Sequence, residues 1–291
     1  MPPPDITARF ASDHDLAVAT TLTRLLDTAP LPAEALAIAH LPLHMGGLGL
    51  TSASSTAIPA HWASWADTLP VIHNQAPNPA NTIQQQLNNP EEATPAVQAA
   101  IHSADHLRRT EWEPPAWQAL TNGQTQPEQT QTEGPSTGRG WQQPTSHACH
   151  AAHRNEVIEA ISPASQALLD SQSGPHASRP FTTIPYNANT TYPSHLFCLL
   201  LLRRLRLPLP LSARQCRCRR VLDPLGDHRA ACPQAGILRS RGVPLERAAA
   251  TICREAGARV TTNTKVADLN LQHLHRHDDR RIEVIANGRH L

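Results

Sequence analysis

The stretch Gln215-Cys216-Arg217-Cys218, continued by Asp223-Pro224-Leu225-Gly226-Asp227-His228 and ending at Cys232, decides how the second half of this chain folds. It places three of the six cysteines and one histidine within seventeen residues, in the pattern Cys-x-Cys-x9-His-x3-Cys. Structural zinc is held by four cysteine or histidine ligands, and three cysteines with one histidine form a common set. The stretch therefore predicts a structural zinc site whose ligands are Cys216, Cys218, His228 and Cys232.

Two features of this cysteine stretch depart from common zinc patterns. Only one residue separates Cys216 from Cys218, which strains the usual turn around a metal, and an unusual nine residues precede His228. Asp227 is an alternative oxygen ligand. The alternative to a metal site is a thiol-bearing loop in which His228 and Asp227 only cap a turn and form hydrogen bonds.

Seven arginines and no acid lie between Leu201 and Arg220, just before and within the cysteine stretch. Guanidinium groups make bidentate contacts with phosphate oxygens, so this run predicts contacts with the backbone of DNA or RNA. The formal net charge of the whole chain is only +1, which excludes a global field that attracts polyanions. The predicted phosphate-binding residues are Arg203, Arg204, Arg206, Arg214, Arg217, Arg219 and Arg220.

The N-terminus and the hydropathy of the chain indicate where the protein acts. Met1-Pro2-Pro3-Pro4-Asp5 has neither a basic start nor an apolar core, so it does not read as a signal peptide. The longest apolar run, Leu196–Leu202, contains seven residues, whereas a helix that spans a bilayer needs about twenty. We expect an intracellular protein, nuclear or cytoplasmic, that does not enter membranes. A reducing compartment favours a metal over disulfides at clustered cysteines.

Composition predicts short helices joined by irregular segments. Aromatic residues make up 3% of the 291, there are 27 prolines, and the mean hydropathy is −0.39. We predict a mainly α-helical chain with long irregular loops and a small α/β element at the C-terminus. The predicted regions are a helical segment (1–120), a low-complexity linker (121–145), a second helical segment with the cysteine stretch (146–242), and a helix–strand–strand element (243–291).

The N-terminal region predicts helices over 13–40 and after Ser52 or Ser54, joined by a glycine-rich turn. Asp13 or Asp15 can cap the first helix. The Leu41–Leu50 segment contains three glycines in four positions, which predicts a tight apolar turn with close backbone approach rather than a phosphate-binding loop. The helix that follows carries tryptophans at helical spacing. These favour a core face over a base-stacking platform.

Two further patterns have alternative interpretations. Cys149 with His147, His150 and His153 indicates either a second metal site or, as we expect, a solvated helix start. Near the C-terminus, Val243-Pro244-Leu245-Glu246 predicts the start of a helix that ends at Gly257. Its predicted inward residues are Leu245, Ala249, Ile252, Cys253 and Ala256.

Strands are predicted over 258–264 and 281–286, and Asn287-Gly288 after them is typical of a two-residue hairpin turn. No returning strand follows this turn, so we expect the sequence to be a fragment of a longer protein.

Several of these motifs resemble non-LTR retrotransposon proteins. Two N-terminal motifs are similar to the segment after the polymerase core of these proteins. They are Leu41-Pro42-Leu43-x-x-Gly46-Gly47-Leu48-Gly49-Leu50 and, after it, Ala60-x-Trp62-Ala63-Ser64-Trp65. The later motifs follow the order found in the site-specific branch of this family. They are Cys-x-Cys, Leu222-Asp223-x-x-Gly226-Asp227-His228, Cys232 and the helix ending Glu255-Ala256-Gly257. The resemblance covers most of 30–70 and 195–288. In that branch a Cys-Cys-His-Cys motif precedes a restriction-like endonuclease of the PD-(D/E)xK class.

This resemblance implies roles for individual residues. Cys216, Cys218, His228 and Cys232 match the metal-knuckle ligands, and Glu283 matches the first strand acid of the endonuclease, with Asp278 and Asp279 as alternatives. That enzyme class uses two acids and a lysine to hold Mg²⁺ and activate water. The second acid and the lysine would lie on a strand after Asn287-Gly288. This chain also departs from the family, which often has glycine where Arg219 stands and Arg-His where Leu245-Glu246 stands.

We therefore expect a fragment of a retrotransposon-derived protein that binds DNA or RNA through an arginine-flanked zinc knuckle. No acid pair of a polymerase is present in a hydrophobic strand, so we expect no catalysis by this chain alone. The alternatives are a divalent-metal-dependent endonuclease that acts only in a longer form, with Glu283 as a metal ligand, and a degenerate product without function.

Overall fold

The computed structural model describes residues 2–124, 140–187, 191–211, 214–235, 237–269 and 281–287. The chain divides into two compact units, unit 1 (1–207) and unit 2 (208–291). The prediction of a mainly helical chain with a small sheet is confirmed. Among the described residues unit 1 has ten α-helices: α1 Pro4–Leu26, α2 Ala33–His40, α3 Ala53–Gln75, α4 Pro77–Asn88, α5 Pro95–Arg109, α6 Trp117–Thr121, α7 Gln142–Ala160, α8 Pro163–Ser171, α9 Arg179–Thr182 and α10 Ser194–Arg204.

Unit 1 is built around α3, which packs against α1, α4, α5, α6 and α7. Trp62 is fully buried in this helix, and its ring contacts those of Trp112, Trp117 and Trp141 at centroid separations of 5.1 to 6.0 Å. The first and last of these pairs are edge-to-face, the arrangement that ring quadrupoles favour. The predicted core role of the helical tryptophans is confirmed.

Capping differs from the sequence prediction at α1 and agrees with it at α3. A proline at the first position starts α1 at Pro4, well before the predicted caps. Asp15 instead faces the N-terminus of α3, where its carboxylate accepts hydrogen bonds from Ala53 N (2.7 Å) and Ser52 Oγ (2.8 Å). Ser52 is the N-cap of α3, as predicted, and accepts from Ser55 N. A side chain far along the sequence thus completes the cap of α3.

The predicted close backbone approach at Leu41–Leu50 is confirmed. Gly46 has a φ of 95°, a conformation that favours glycine, and Gly47 N donates to Pro42 O at 3.1 Å. A Cβ on Gly47 would lie far inside van der Waals contact with the Leu41 carbonyl oxygen. This turn folds back on the end of α2, with Leu48 N and Leu50 N both donating to Ala39 O.

The boundary between the units differs from the predicted linker at 121–145. Helix α7, which follows that segment, packs against α3, and Trp141 N donates to Asp67 Oδ1 at 3.1 Å. The described residues on both sides therefore belong to unit 1, and the division falls at Leu207/Pro208. Residues 125–139 of the predicted linker lie outside the described residues.

Unit 2 contains α11 Asp227–Ala231, α12 Ile237–Glu255, and the strands β1 Arg259–Lys265 and β2 Arg281–Asn287. The strands pair antiparallel, from Arg259 opposite Asn287 to Lys265 opposite Arg281. Helix α12 packs on both strands. Asn287 ends β2 rather than opening a described turn, and Gly288 lies outside the described residues.

Helix α12 differs from its prediction in its start and in its buried face. It begins at Ile237 and includes Pro244 rather than starting there. Ala250 is buried at 2% exposure, whereas Leu245 and Ile252 are 73% and 66% exposed. The prediction of inward side chains is wrong for these two residues and for Ala249 and Ala256, which are exposed as well. The two-stranded sheet covers only one side of α12. Periodicity identified an apolar stripe but not the neighbour that covers it.

No α-helix within the described ranges has the length and apolar character needed to cross a membrane.

Candidate metal centre

A tight turn positions the first two predicted ligands. Gln215 and Val221 form an antiparallel bridge, Cys216 N donates to Arg220 O at 2.9 Å, and Arg219 N donates to Cys216 O at 2.8 Å. The chain reverses between Cys216 and Arg220, so Cys216 and Cys218 both lie in this turn. Arg219 takes a left-handed conformation with a φ of 68°. This is the position at which the resembled family often has glycine.

The second pair of ligands depends on Asp223, which caps α11. Its carboxylate accepts hydrogen bonds from Asp227 N (3.0 Å) and His228 N (2.7 Å). Partial burial opposes ionisation, but these backbone donors hold the pKa of Asp223 below its ordinary value. His228 therefore lies in the first turn of α11, and Cys232 follows its last residue, with Cys232 N donating to His228 O at 2.8 Å.

The four predicted ligands meet at one point. One ligand atom from each of Cys216, Cys218, His228 and Cys232 lies within 4.8 Å of the others. Cys218 Sγ is 3.1 Å from His228 Nε2, and Cys232 is only 6% exposed. Among the residues that the structure describes, this is the one group of three or more cysteine, histidine or acidic side chains placed to hold a metal ion. Asp227, the alternative ligand, is not a member of the group.

Four of the predicted arginines lie on the same loop as the predicted ligands Cys216 and Cys218. The side chains of Arg214, Arg217, Arg219 and Arg220 are all exposed. We call residues 214–232 the knuckle. Sequence reasoning missed a fifth exposed arginine of the knuckle, Arg229 in α11. Its position directly after the predicted ligand His228 was a signal that could have identified it.

Arg204 does not fit the prediction that it binds phosphate. It is 5% exposed, and its guanidinium donates to Gly47 O and Leu43 O, both at 2.8 Å. The same group lies over the ring of Phe181 at 4.8 Å from the centroid. Arg204 therefore fixes the glycine turn to the end of α10. This contact was not readable from sequence because it joins segments that are far apart along the chain.

Arg203 and Arg206 also belong to unit 1, so the run of seven arginines is divided between the two units. Arg206 Nε donates to Ser165 Oγ at 3.2 Å, and Arg206 itself has a φ of 58°. The predicted phosphate-binding set within unit 2 is therefore Arg214, Arg217, Arg219 and Arg220.

The division into units reveals a charge asymmetry that the net charge of +1 conceals. Residues 208–291 contain fifteen arginine and lysine side chains against eight acids, a formal net charge of +7. Residues 1–207 contain ten against sixteen, a net charge of −6. Unit 2 is therefore strongly cationic, and the expectation that no field attracts a polyanion does not apply to it. The charge of the whole chain averages over both units, so this asymmetry was not part of the sequence prediction.

A surface cleft opens beside the metal group. It is lined by three of the four predicted ligands and by neighbouring residues: Cys218, Arg220, His228, Ala231, Cys232, Pro233 and Gln234. Arg220 thus lines the same cleft as Cys218, His228 and Cys232.

Of the residues predicted from the endonuclease resemblance, the structure describes only Glu283. Glu283 is exposed in the middle of β2. The facing strand β1 contains no acid. Asp278 and Asp279 lie outside the described residues. Within the described part of unit 2, Glu283 belongs to no group placed to hold a metal ion.

The histidine-rich start of α7 forms no described metal group either, although it is less solvated than expected. Burial raises the pKa of the Cys149 thiol to about 11, and His153 Nε2 lies 3.1 Å from Ala37 O. Cys149 packs against the core cluster around Trp62, and His153 lies where α7 packs against α2.

No protein-family model, curated protein or solved structure matches the chain.

Proposed function

We propose that unit 2 binds nucleic acid through the knuckle, with a zinc ion as its structural centre and without catalysis by this chain. The observation that carries the proposal is the placement of four exposed arginines on the loop that supplies two of the four metal ligands. A metal that fixes the loop also fixes the backbone positions that carry these arginines relative to one another. Preorganised arginines bind phosphate at a lower entropic cost than arginines on an unfolded segment.

Zinc fits the donor set better than other common metals. Three thiolates and an imidazole form a soft, four-ligand set that leaves no open coordination position, which is typical of structural rather than catalytic zinc. Magnesium and calcium prefer oxygen ligands, and none of the four donors is an oxygen. The ion would hold the Cys216–Cys218 turn against α11. Its bonds to the four ligands would supply the folding free energy that larger segments obtain from an apolar core.

The recognition chemistry is contact with the phosphate backbone. The exposed groups are guanidiniums, and the net charge of +7 in unit 2 attracts polyanions of any sequence. Phosphate contacts position a protein on nucleic acid but do not read bases. We therefore expect binding that depends strongly on salt and weakly on sequence, with DNA and RNA both accepted.

The salt dependence of binding tests this proposal. The affinity of the full chain for a fluorescent single strand and for a duplex, each about 20 nucleotides long, is measured between about 50 and 200 mM salt. Arg217→Gln and Arg220→Gln should each reduce the slope of log K against log salt by about 0.7 on the single strand and about 0.9 on the duplex. Arg9→Gln, at a 95% exposed side chain in unit 1, serves as the control and should leave the slope unchanged. Equal slopes for all four proteins would contradict phosphate contact by the knuckle.

We propose a retrotransposon origin on the sequence resemblance alone. The nuclease alternative rests on Glu283, which belongs to no group of three or more candidate metal ligands among the described residues. It therefore stays a prediction for a longer form of the protein, as does the alternative of a degenerate product.

A further inference from the structure

An apolar seam on α12 has no partner within the described residues of unit 2. Leu245 and Ile252 are 73% and 66% exposed, and Ala249 and Ala256, exposed as well, alternate with them. The spacing of four, three and four residues keeps these side chains on one face of a helix. Cys232 and Ala250 are the only described apolar side chains of unit 2 that are buried, so covering the seam would enlarge a very small core.

We propose that the seam pairs with the seam of a second copy of this chain, as an antiparallel helix dimer. The four seam positions are arranged symmetrically about a point between Ala250 and Thr251. A twofold axis at that point therefore places each seam residue opposite another seam residue of the second copy. In that arrangement Leu245 lies opposite Ala256 of the second copy, and Ile252 lies opposite Ala249. Each large side chain thus meets a small one, which permits close packing of two helices.

Charges beside the seam are compatible with this pairing. Glu246 and Glu255 flank the seam on opposite sides. On one side of the dimer, Glu246 faces Glu246 of the second copy, and on the other side Glu255 faces Glu255 of the second copy. In each case the two glutamates are offset by nine residues along the helix axis. At a rise of 1.5 Å per residue, these like charges are separated by about 14 Å, which is beyond the screening length at physiological salt.

The area of the seam predicts a weak dimer. Covering the four side chains on both copies removes on the order of 700 Å² from solvent, below the roughly 1,200 Å² of stable complexes. We therefore expect a dissociation constant of about 10–100 µM rather than a permanent dimer. The inference does not depend on zinc-mediated nucleic-acid binding, because the interface uses α12 and not the knuckle.

Sedimentation velocity of the full chain without nucleic acid, from about 1 to 300 µM, tests the proposal. The wild type should pass from monomer to dimer. Leu245→Glu and Ala256→Arg should each weaken association about tenfold or more by placing a charge in the seam. Together they should restore it, since the introduced carboxylate of one copy then faces the introduced guanidinium of the other in the antiparallel register. The control Ile184→Glu changes an 85% exposed side chain of unit 1 and should have no effect.

Three outcomes would overturn the proposal. A wild type that stays monomeric throughout the range removes the interface. Loss of association in Ile184→Glu as well would show a non-specific cause. Failure of the double variant to recover, while each variant keeps the wild-type far-UV circular dichroism, would exclude the antiparallel register.

Discussion

Arg219 takes a backbone conformation that suits glycine at the tightest point of the knuckle. Its φ of 68° allows Arg219 N to donate to Cys216 O, which closes the turn that carries two ligands. A left-handed conformation costs a residue with a Cβ roughly 1–2 kcal/mol. Arg219 therefore holds a backbone conformation that favours glycine, and it adds one more arginine next to the predicted ligand Cys218.

Replacing this arginine should separate the two effects. Arg219→Gly should stabilise the zinc-loaded knuckle by about 1 kcal/mol, measured as about fivefold tighter zinc binding in competition with a chelator. It should also weaken nucleic-acid binding through the lost charge. The control Arg217→Gly, where φ is not positive, should lose stability instead. Equal changes in zinc affinity for both variants would contradict the role of backbone strain.

His61 is a buried histidine whose hydrogen bonds favour the neutral imidazole. It is 1% exposed, with Nδ1 3.1 Å from Ser103 Oγ and Nε2 accepting from Trp65 Nε1 at 3.3 Å. Because Ser103 Oγ donates to Ala99 O, the proton of the neutral imidazole belongs on Nδ1. A second proton on Nε2 would face the Trp65 N–H. Burial accordingly lowers the pKa of His61 below its ordinary value.

The stability of unit 1 should therefore fall with acidification. Below about pH 6.5 the unfolded chain binds a proton at this histidine, whereas the folded chain resists protonation. The contribution of His61 to the unfolding free energy is therefore complete above that pH and is lost as the pH falls. From about pH 7.5 to 5.5, His61 should account for at most about 1.4 kcal/mol of the loss in unfolding free energy. His44, His106 and His150, whose pKa values burial also lowers, should add to it.

Denaturant unfolding followed by tryptophan fluorescence measures this effect. His61→Gln should be less stable than the wild type at the higher pH but should lose less on acidification. His14→Gln, at an exposed position of α1, should show the wild-type difference. A pH dependence that is the same in His61→Gln and the wild type would exclude His61 as its source.

At the scale of elements, sequence patterns predicted those features that local chemistry determines. Four predicted features each have a local cause. The Ser52 cap follows from capping, the tryptophan face of α3 from the helical period, the glycine turn from backbone freedom, and the two strands from alternating apolar residues. The four ligands at the metal group were identified because ligand type and spacing are themselves local. The buried role of Arg204, the cap supplied by Asp15 and the exposed stripe of α12 depend on contacts between distant segments, which no local pattern contains.

Helix α12 shows this limit most clearly. Its sequence has one apolar stripe at Leu245 and Ile252 and a second, weaker face at Ala250, and the hydrophobic period favours the first. The structure packs the face with Ala250 on the sheet. Periodicity specifies which residues share a face, but the neighbour that covers that face is a property of tertiary structure.

At the scale of the whole molecule, the two units differ in how much apolar core they bury. Unit 1 has a core of helices around Trp62, whereas unit 2 buries few described apolar side chains and brings together four side chains that could hold a metal ion. Small segments with little core commonly depend on a metal for folding. All five tryptophans, at positions 62, 65, 112, 117 and 141, belong to unit 1.

Metal removal should therefore affect the units differently. A chelator should reduce the far-UV circular dichroism contributed by unit 2. It should also weaken nucleic-acid binding, because the arginine loop loses its anchor although unit 2 keeps its positive charge. The denaturant midpoint reported by tryptophan fluorescence should not change, since every tryptophan lies in unit 1. A shift of that midpoint with the chelator would contradict the assignment of the metal to unit 2 alone.

The zinc content of the purified chain tests the central claim most directly. Mass spectrometry of metals after dialysis against metal-free buffer should find close to one zinc per chain in the wild type and in the control Cys198→Ser, whose thiol lies in unit 1 outside the metal group. Cys216→Ser and His228→Ala should each fall well below half an equivalent, because removing one of four ligands opens the site. No zinc in the wild type, or full zinc in both ligand variants, would contradict the account.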